Sequence, residues 1–189
     1  MRKYITGSEW VAFFAAIDGS ATERRDRAMF GMAYKHGLRV SELNTLRVSD
    51  LDLSGKTVFI RRLKNGLSTT HPLQPDTAEW LAHWLELRRT HRVQACSRDV
   101  LFLSTAGKKI SRQWIHRLSQ AYSRKAGLLV DVHPHMLRHA CGYALADQGL
   151  DTRLIQDYLG HRNISHTVRY TASNAARFSR VWVTPNHSL

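Results

Sequence analysis

Hydrophobic and polar positions along the chain repeat mainly at helical intervals. "TGSEWVAFFAAID" opens with Thr6 and Glu9 in the spacing of a capping box, followed by apolar residues on one helical face, which predicts a first helix. "ERRDRAMFGMAYKHG" predicts a second, stopped at Gly37, because glycine readily takes the left-handed conformation that closes a helix. In "RVSELNTLRVSDLDL", Ser41 is the candidate N-cap of a short helix that buries Leu43 and Leu46. The period then changes, and "KTVFIRRL" and "LSTTHPL" read as two short strands around an Asn65-Gly66 turn. Helical spacing returns in "DTAEWLAHWLELRRTHR", in "SRQWIHRLSQAYSRKAG" and in "DTRLIQDYLG", with "VLFLSTAGKKI" as a connector. In "HPHMLRHACGYALADQG", Pro134 suits a first helical turn, and Met136, Leu137, Ala140, Tyr143 and Ala144 keep the apolar face. The tail "TASNAARFSRVWVTPNHSL" offers Ser173 as an N-cap and Ala176, Phe178, Val181 and Trp182 as the apolar side of a last short helix. The expected fold class is therefore mainly α with a small antiparallel β-sheet. No internal repeat or composition shift marks a boundary, so one domain over residues 1–189, with 173–189 as a C-terminal tail helix, is the expected organisation.

Charge narrows the partner. Among 189 residues, 28 Lys and Arg face 15 Asp and Glu, a formal charge of +13, and so one-sided an excess points to a polyanion, with nucleic acid foremost. Solubility alone does not call for it. No apolar run approaches the ~20 residues of a membrane span, and no signal-like apolar core follows "MRKYITGSEW", so a cytoplasmic, nucleoid-associated protein is expected. Cys96 and Cys141 form no CxxC and read as reduced packing residues.

Two segments carry the candidate chemistry. His135 and Arg138 stand three apart near the positively polarised start of a helix, a placement that suits a phosphate: Arg offers a planar fork and imidazole a hydrogen bond or a proton site. The same histidines, His135 and His139, also fit a plain helix surface. Zinc is disfavoured because His-x-x-x-His lacks the Glu of an HExxH site and no fourth ligand stands at customary spacing. In "LGHRNISHTVRYT", His161 follows Gly160 at a turn, and Tyr170 lies amid Arg162, His166 and Arg169. A phenol is a poor nucleophile unaided, and surrounding cations at a bound phosphate change that by stabilising the phenolate and the charge that grows on phosphorus.

The ordered set Arg39 in "HGLRVSEL", Lys64 in "RRLKNG", His135-x-x-Arg138, His161 in "LGHRN" and Tyr170 in "HTVRYT" resembles the catalytic signature of the tyrosine recombinases, or phage integrases. More narrowly, "RRLKNGLSTTHPL", "HPHMLRHACGYALADQG" and "DTRLIQDYLGHRNISHTVRYTASNAARF" resemble the fimbrial phase-variation DNA invertases, which flip a promoter-bearing segment between inverted repeats. The resemblance implies a tyrosine recombinase catalytic-domain fold, without the N-terminal core-binding domain that most of the wider family carries. It implies that Tyr170 attacks the scissile phosphate, Arg39 and Arg138 hold its oxygens, Lys64 protonates the leaving 5′-oxygen, His135 assists proton transfer at the nucleophile, and His161 hydrogen-bonds a phosphate oxygen. Glu42 matches an acidic position that supports this network. Further DNA contacts are expected from Arg61, Arg62, Lys108, Lys109, Arg112, Arg162 and Arg169. No metal and no cofactor is expected, and the implied partners are inverted-repeat DNA, three further copies of the chain in a tetramer, and accessory DNA-bending proteins. A noncatalytic DNA-binding regulator explains the charge but not the ordered residues, a type IB topoisomerase shares the tyrosine chemistry, and a phosphatase lacks its Cys-x5-Arg loop here.

Overall fold

The computed structural model describes residues 2–63, 66–91, 93–94 and 97–172. The Asn65 turn, Lys64, Cys96 and the tail helix expected from Ser173 lie outside the described residues. Eight α-helices and one three-stranded antiparallel sheet make up the described part, in agreement with the expected class.

Helix α1 (Gly7–Ala15) starts at the expected capping box: Glu9 donates its N–H to Thr6 Oγ1 at 3.3 Å, and the Thr6 N–H reaches Glu9 Oε2 at 2.8 Å. It buries Trp10 and Phe13 against α2 (Glu23–Lys35), which lies at the centre of the larger core with Met29, Phe30 and Met32 fully enclosed. Helix α3 (Val40–Thr45) departs from expectation. Its N-cap is Arg39, not Ser41, because the Glu42 carboxylate accepts the Arg39 N–H at 2.9 Å and so caps the first turn from inside the helix.

Strands β1 (Leu51–Asp52), β2 (Thr57–Ile60) and β3 (Thr69–Pro72) follow, with Leu51 opposite Val58, and Val58 opposite His71. Strand β1 is too short to leave a periodic signal in the sequence. Helix α4 (Pro75–Arg88) packs along α2, and its Trp84 donates to the Leu101 carbonyl at 2.9 Å. Helix α5 (Arg112–Lys125) is capped by Ser111, whose hydroxyl accepts from the Trp114 N–H. Tyr122 on α5 donates to Asp26 of α2 at 2.7 Å, and Arg25 pairs with the same carboxylate, so these buried polar groups satisfy one another. Helices α6 (Pro134–Asp147), α7 (Thr152–Leu159) and α8 (Ser165–Ala172) form a second, smaller core of Cys141, Ala146, Ile155, Leu159 and Tyr170. Among the described residues no helix is long and apolar enough to cross a membrane.

One polar contact joins the sheet to α2. His36, at the C-terminal end of α2, and His71, on β3, place their Nδ1 atoms 3.3 Å apart, and His71 Nε2 lies 2.8 Å from Thr69 Oγ1. One of the facing Nδ1 atoms donates a proton and the other accepts it. Burial, then the charges of His71 and Arg62, push His36 down to about 3; burial and Arg62 push His71 down to about 4. Both groups titrate below the ordinary imidazole value, so as pH falls from about 6.5 the unfolded chain takes up protons first and stability declines. Each histidine steepens that decline by at most about 1.4 kcal/mol per pH unit. Thermal denaturation between pH 4 and 7 should therefore show a shallower slope for His36→Gln than for the unaltered chain, and an equal slope would assign the acid sensitivity to other groups.

Candidate active site

The site forms where α3, the β2–β3 hairpin, α6 and the turn between α7 and α8 meet, and its centre is a single buried carboxylate. Glu42 is 3% exposed and receives two guanidinium groups directly, Arg39 Nη1 at 2.6 Å and Arg62 Nη1 at 2.9 Å, with Arg138 Nη1 at 3.9 Å. Burial alone would raise the Glu42 pKa. The charge of Arg62, the Arg39 N–H and the charge of Arg138 outweigh it, and the carboxyl is held below its usual range.

Arg138 projects from α6 into this group, 2% exposed. Its guanidinium donates to the Gly37 carbonyl at the end of α2 and to the Leu159 carbonyl at the end of α7, the latter at 2.7 Å. Burial, then repulsion from Arg39 and Arg62, brings its pKa down to about 9 against the pull of Glu42, so it remains charged at neutral pH. Three guanidinium groups around one carboxylate leave two positive charges unbalanced. Such a pocket has a built-in affinity for an anion with several acceptor oxygens, and a phosphodiester fits that description.

Tyr170 lies on α8, 1% exposed, with its ring over α6. A Cβ at Gly142 would stand 2.6 Å from the ring, so only glycine leaves the seat open, and Tyr143 closes one edge at a centroid distance of 5.1 Å. Its hydroxyl lies 2.8 Å from Nδ1 of His139. Burial pushes the phenol up to about 12, although Arg138 and Arg169 pull the other way. His161 follows Gly160, whose left-handed backbone (φ 64°) closes α7. The imidazole is fixed by Thr167 Oγ1 at 2.8 Å and stacks 6.3 Å from the Tyr170 ring. Burial, then Arg138 and Arg39, hold it neutral, down to about 3.

The structure thus brings together Arg39, Glu42, Arg138, His161 and Tyr170. His135 is exposed at the first turn of α6, its ring 4.4 Å from that of His139, and it does not make the hydrogen bond to Tyr170. Lys64 lies outside the described residues. Two open clefts flank the cage. One of about 630 Å³ includes His135, Arg112, His116 and Arg117, and the other, of about 830 Å³, includes Arg39, His161 and Arg162. Of the expected DNA contacts, Arg61, Lys108, Lys109, Arg112, Arg162 and Arg169 are exposed. Arg62 is not. Its side chain is fully buried, donating to Glu42, to the His36 carbonyl and to the Tyr158 carbonyl at 2.6 Å, so it serves the interior rather than the DNA surface. Beyond β2 the neighbouring Arg61 points outward, where it reaches Asp50 at 3.3 Å, and Arg62 points inward. In the sequence Thr167 has no assigned role and His139 reads only as fitting a helix surface, whereas in the structure they hold His161 and Tyr170. His139's place four residues after His135, on the same helical face, was the available signal. Among the described residues no three of His, Cys, Asp or Glu stand close enough to share a metal ion.

Two substitutions test this geometry. Arg62→Met removes the more buried of the two guanidinium groups that Glu42 receives directly and leaves the His36 and Tyr158 carbonyls without that donor, and a loss of about 3 kcal/mol in stability is expected; an unchanged melting temperature with weaker, less salt-dependent DNA binding would return Arg62 to the surface. Gly142→Ala forces the Tyr170 ring aside, and a displacement of that size should slow Tyr170-dependent chemistry by ~10²-fold. DNA binding should persist, and a wild-type rate would show that the ring seat is not needed.

The comparisons with known proteins follow from this geometry. Residues 3–177 match the model of the phage integrase family. The type 1 fimbriae regulatory protein FimE of Escherichia coli K12 is 51% identical over 181 residues, covering 96% of this chain and 91% of that protein. The type 1 fimbriae regulatory protein FimB of the same strain is 45% identical over 181 residues, covering 96% and 90%. The crystal structure of XerA recombinase superposes with a TM-score of 0.81 at 28% identity over 94% of this chain, which spans 63% of that one. With its mainly helical fold, its small antiparallel sheet and a matched region that runs from before α1 to past Tyr170, the chain belongs to the phage integrase family of tyrosine recombinases.

Proposed function

We propose that the chain is a site-specific recombinase that inverts a promoter-bearing DNA segment between short inverted repeats and so controls fimbrial phase variation. The observation that carries this reading is the cage of Arg39, Arg62 and Arg138 around Glu42, which holds two uncompensated positive charges beside a buried tyrosine. Likeness to FimE and FimB over nearly the whole chain supports the fimbrial part. The net charge of +13 supports a DNA substrate, since phosphate contacts supply most of the affinity in such complexes.

In this mechanism Tyr170 attacks the scissile phosphorus in line, giving a 3′-phosphotyrosyl enzyme and a free 5′-hydroxyl. Arg39 and Arg138 bind the non-bridging oxygens and offset the charge of the pentavalent transition state. His161 adds a hydrogen bond to one of those oxygens, and Lys64 protonates the leaving 5′-oxygen. The phosphotyrosine retains the energy of the broken bond, so the 5′-hydroxyl of a partner strand rejoins the DNA without ATP. Residues 1–189 act as one catalytic domain, and the arginines supply the charge that a divalent cation would otherwise bring. Four copies pair two sites, and accessory bending proteins lower the cost of bringing the sites together.

The test is Tyr170→Phe. The variant should bind a half-site with unchanged affinity, form no covalent adduct on a nicked suicide substrate and invert no plasmid segment, whereas the unaltered chain does all three. An adduct formed by Tyr170→Phe would remove Tyr170 as nucleophile. Relaxation of plasmids without inverted repeats by the unaltered chain would favour topoisomerase activity over recombination.

A further inference from the structure

The mechanism above leaves the proton of Tyr170 without a destination. A phenol that attacks phosphorus must lose its proton as the new bond forms, and here the phenol is buried and its pKa is raised to about 12, so bulk hydroxide has little access to it. His135 was expected to assist at this point, yet it stands at the exposed first turn of α6. The group that touches the reacting oxygen is His139, one turn further along, 6% exposed, with Nδ1 2.8 Å from Tyr170 Oη. That distance is within reach for direct proton transfer.

We propose that His139 is a catalytic residue that accepts the Tyr170 proton, with His135 packed behind it; the proposal rests on the reading of Tyr170 as nucleophile. In the forward step the Oη–H bond breaks and the proton passes to Nδ1. The freed electron pair on Oη forms the bond to phosphorus, and the P–O5′ bond breaks with its pair leaving on the 5′-oxygen, which takes a proton from Lys64. In the reverse step the incoming 5′-hydroxyl gives its proton to the Lys64 amine and its oxygen bonds to phosphorus, the P–Oη bond breaks with its pair on Oη, and Oη recovers its proton from Nδ1.

The surroundings keep His139 in the form this step needs. Burial, then the charges of His135 on α6, Arg169 on α8, Arg138 on α6 and Lys3 before α1, hold its imidazole neutral, down to about 4. A neutral imidazole keeps one nitrogen lone pair free, and the Nε2–H tautomer puts that lone pair at Nδ1, facing the hydroxyl. When a phosphodiester enters, its negative charge opposes the nearby cations, and the same imidazole becomes more basic as the phenol is brought into line with phosphorus. A base held neutral without substrate and strengthened by it acts only on the assembled complex.

The experiment is single-turnover adduct formation by the full chain on a nicked suicide substrate, with half-site binding and melting temperature measured beside it. His139→Asn places an amide near the position of Nδ1, so it keeps the hydrogen bond but takes no proton. It should slow adduct formation by ~10²–10⁴-fold, the effect typical of a lost general base. Its rate should climb with pH from 7 to 10, because without the imidazole only the small fraction of chains already in the phenolate form can react, where the unaltered chain stays level. His139→Ala should be slow in the same way and recover part of its rate when free imidazole is added. A wild-type rate for His139→Asn, a pH profile parallel to that of the unaltered chain, or loss of half-site binding in both variants would overturn the proposal and leave His139 a structural role. The two readings separate cleanly: if Tyr170→Phe forms no adduct while His139→Asn reacts normally, only the base assignment fails.

Discussion

A carboxylate enclosed with three guanidinium groups is the constraint on which the rest of the site depends. Glu42 caps α3, fixes Arg39 at the helix start, receives Arg62 from the hairpin and stands within ion-pair distance of Arg138 from α6. Desolvating four charges is expensive, and the cluster persists because nearly every polar atom finds a partner. The Arg62 Nε atom is the exception, buried with no hydrogen-bond partner among the described residues. One negative charge is too few to neutralise three positive ones, and the shortfall is what gives the cage a use. Full neutrality would have produced a more stable interior with nothing to offer a phosphate.

Arg138 shows how the fold holds such a group without consuming its charge. Its direct hydrogen bonds go to two carbonyls at the C-terminal ends of α2 and α7, where the peptide dipoles present partial negative charge. Carbonyls orient a guanidinium but carry no net charge, so the ion is placed and remains available. Tyr170 is treated in the opposite way, its ring enclosed by α6 and its hydroxyl tied to His139. The cation is prepared in advance, and the nucleophile is kept from solvent.

Much of this was legible because the signals were local. Thr6 with Glu9, Pro134 in the first turn of α6 and Gly160 after α7 each act within a turn of their own helix, and the structure has each in its expected place. Where the sequence misled, the deciding partner was remote or of an unexpected type. Ser41 looked like a cap because its hydroxyl suits one, yet the neighbouring Glu42 caps while also holding two arginines. Arg62 looked like a surface cation beside Arg61. Its direction is set by Tyr158 and Glu42, far away in the chain, and no local pattern reports them. Helix α8 is eight residues long with Thr167 and Val168 inside it, and its packing against α6 and α7 rather than its propensity accounts for it. The order of Arg39, His135, Arg138, His161 and Tyr170 was plain from the chain, but which imidazole touches the tyrosine depends on how α6 and α8 cross.

Gly66 in the hairpin turn and Gly160 after α7 have a bearing on how such enzymes are re-engineered. A Cβ at Gly66 would meet the Gly160 carbonyl at 2.9 Å, and a Cβ at Gly160 would meet the Arg62 side chain at 2.7 Å. The hairpin turn and the turn that presents His161 therefore press closely together around the Arg62 stem, with no open space to absorb a misfit. In a chimaera assembled from two related recombinases, these segments behave as one inherited part. Exchanging the hairpin alone imports a foreign surface against the His161 turn, whereas moving residues 62–66 together with 158–161 transfers the fit intact.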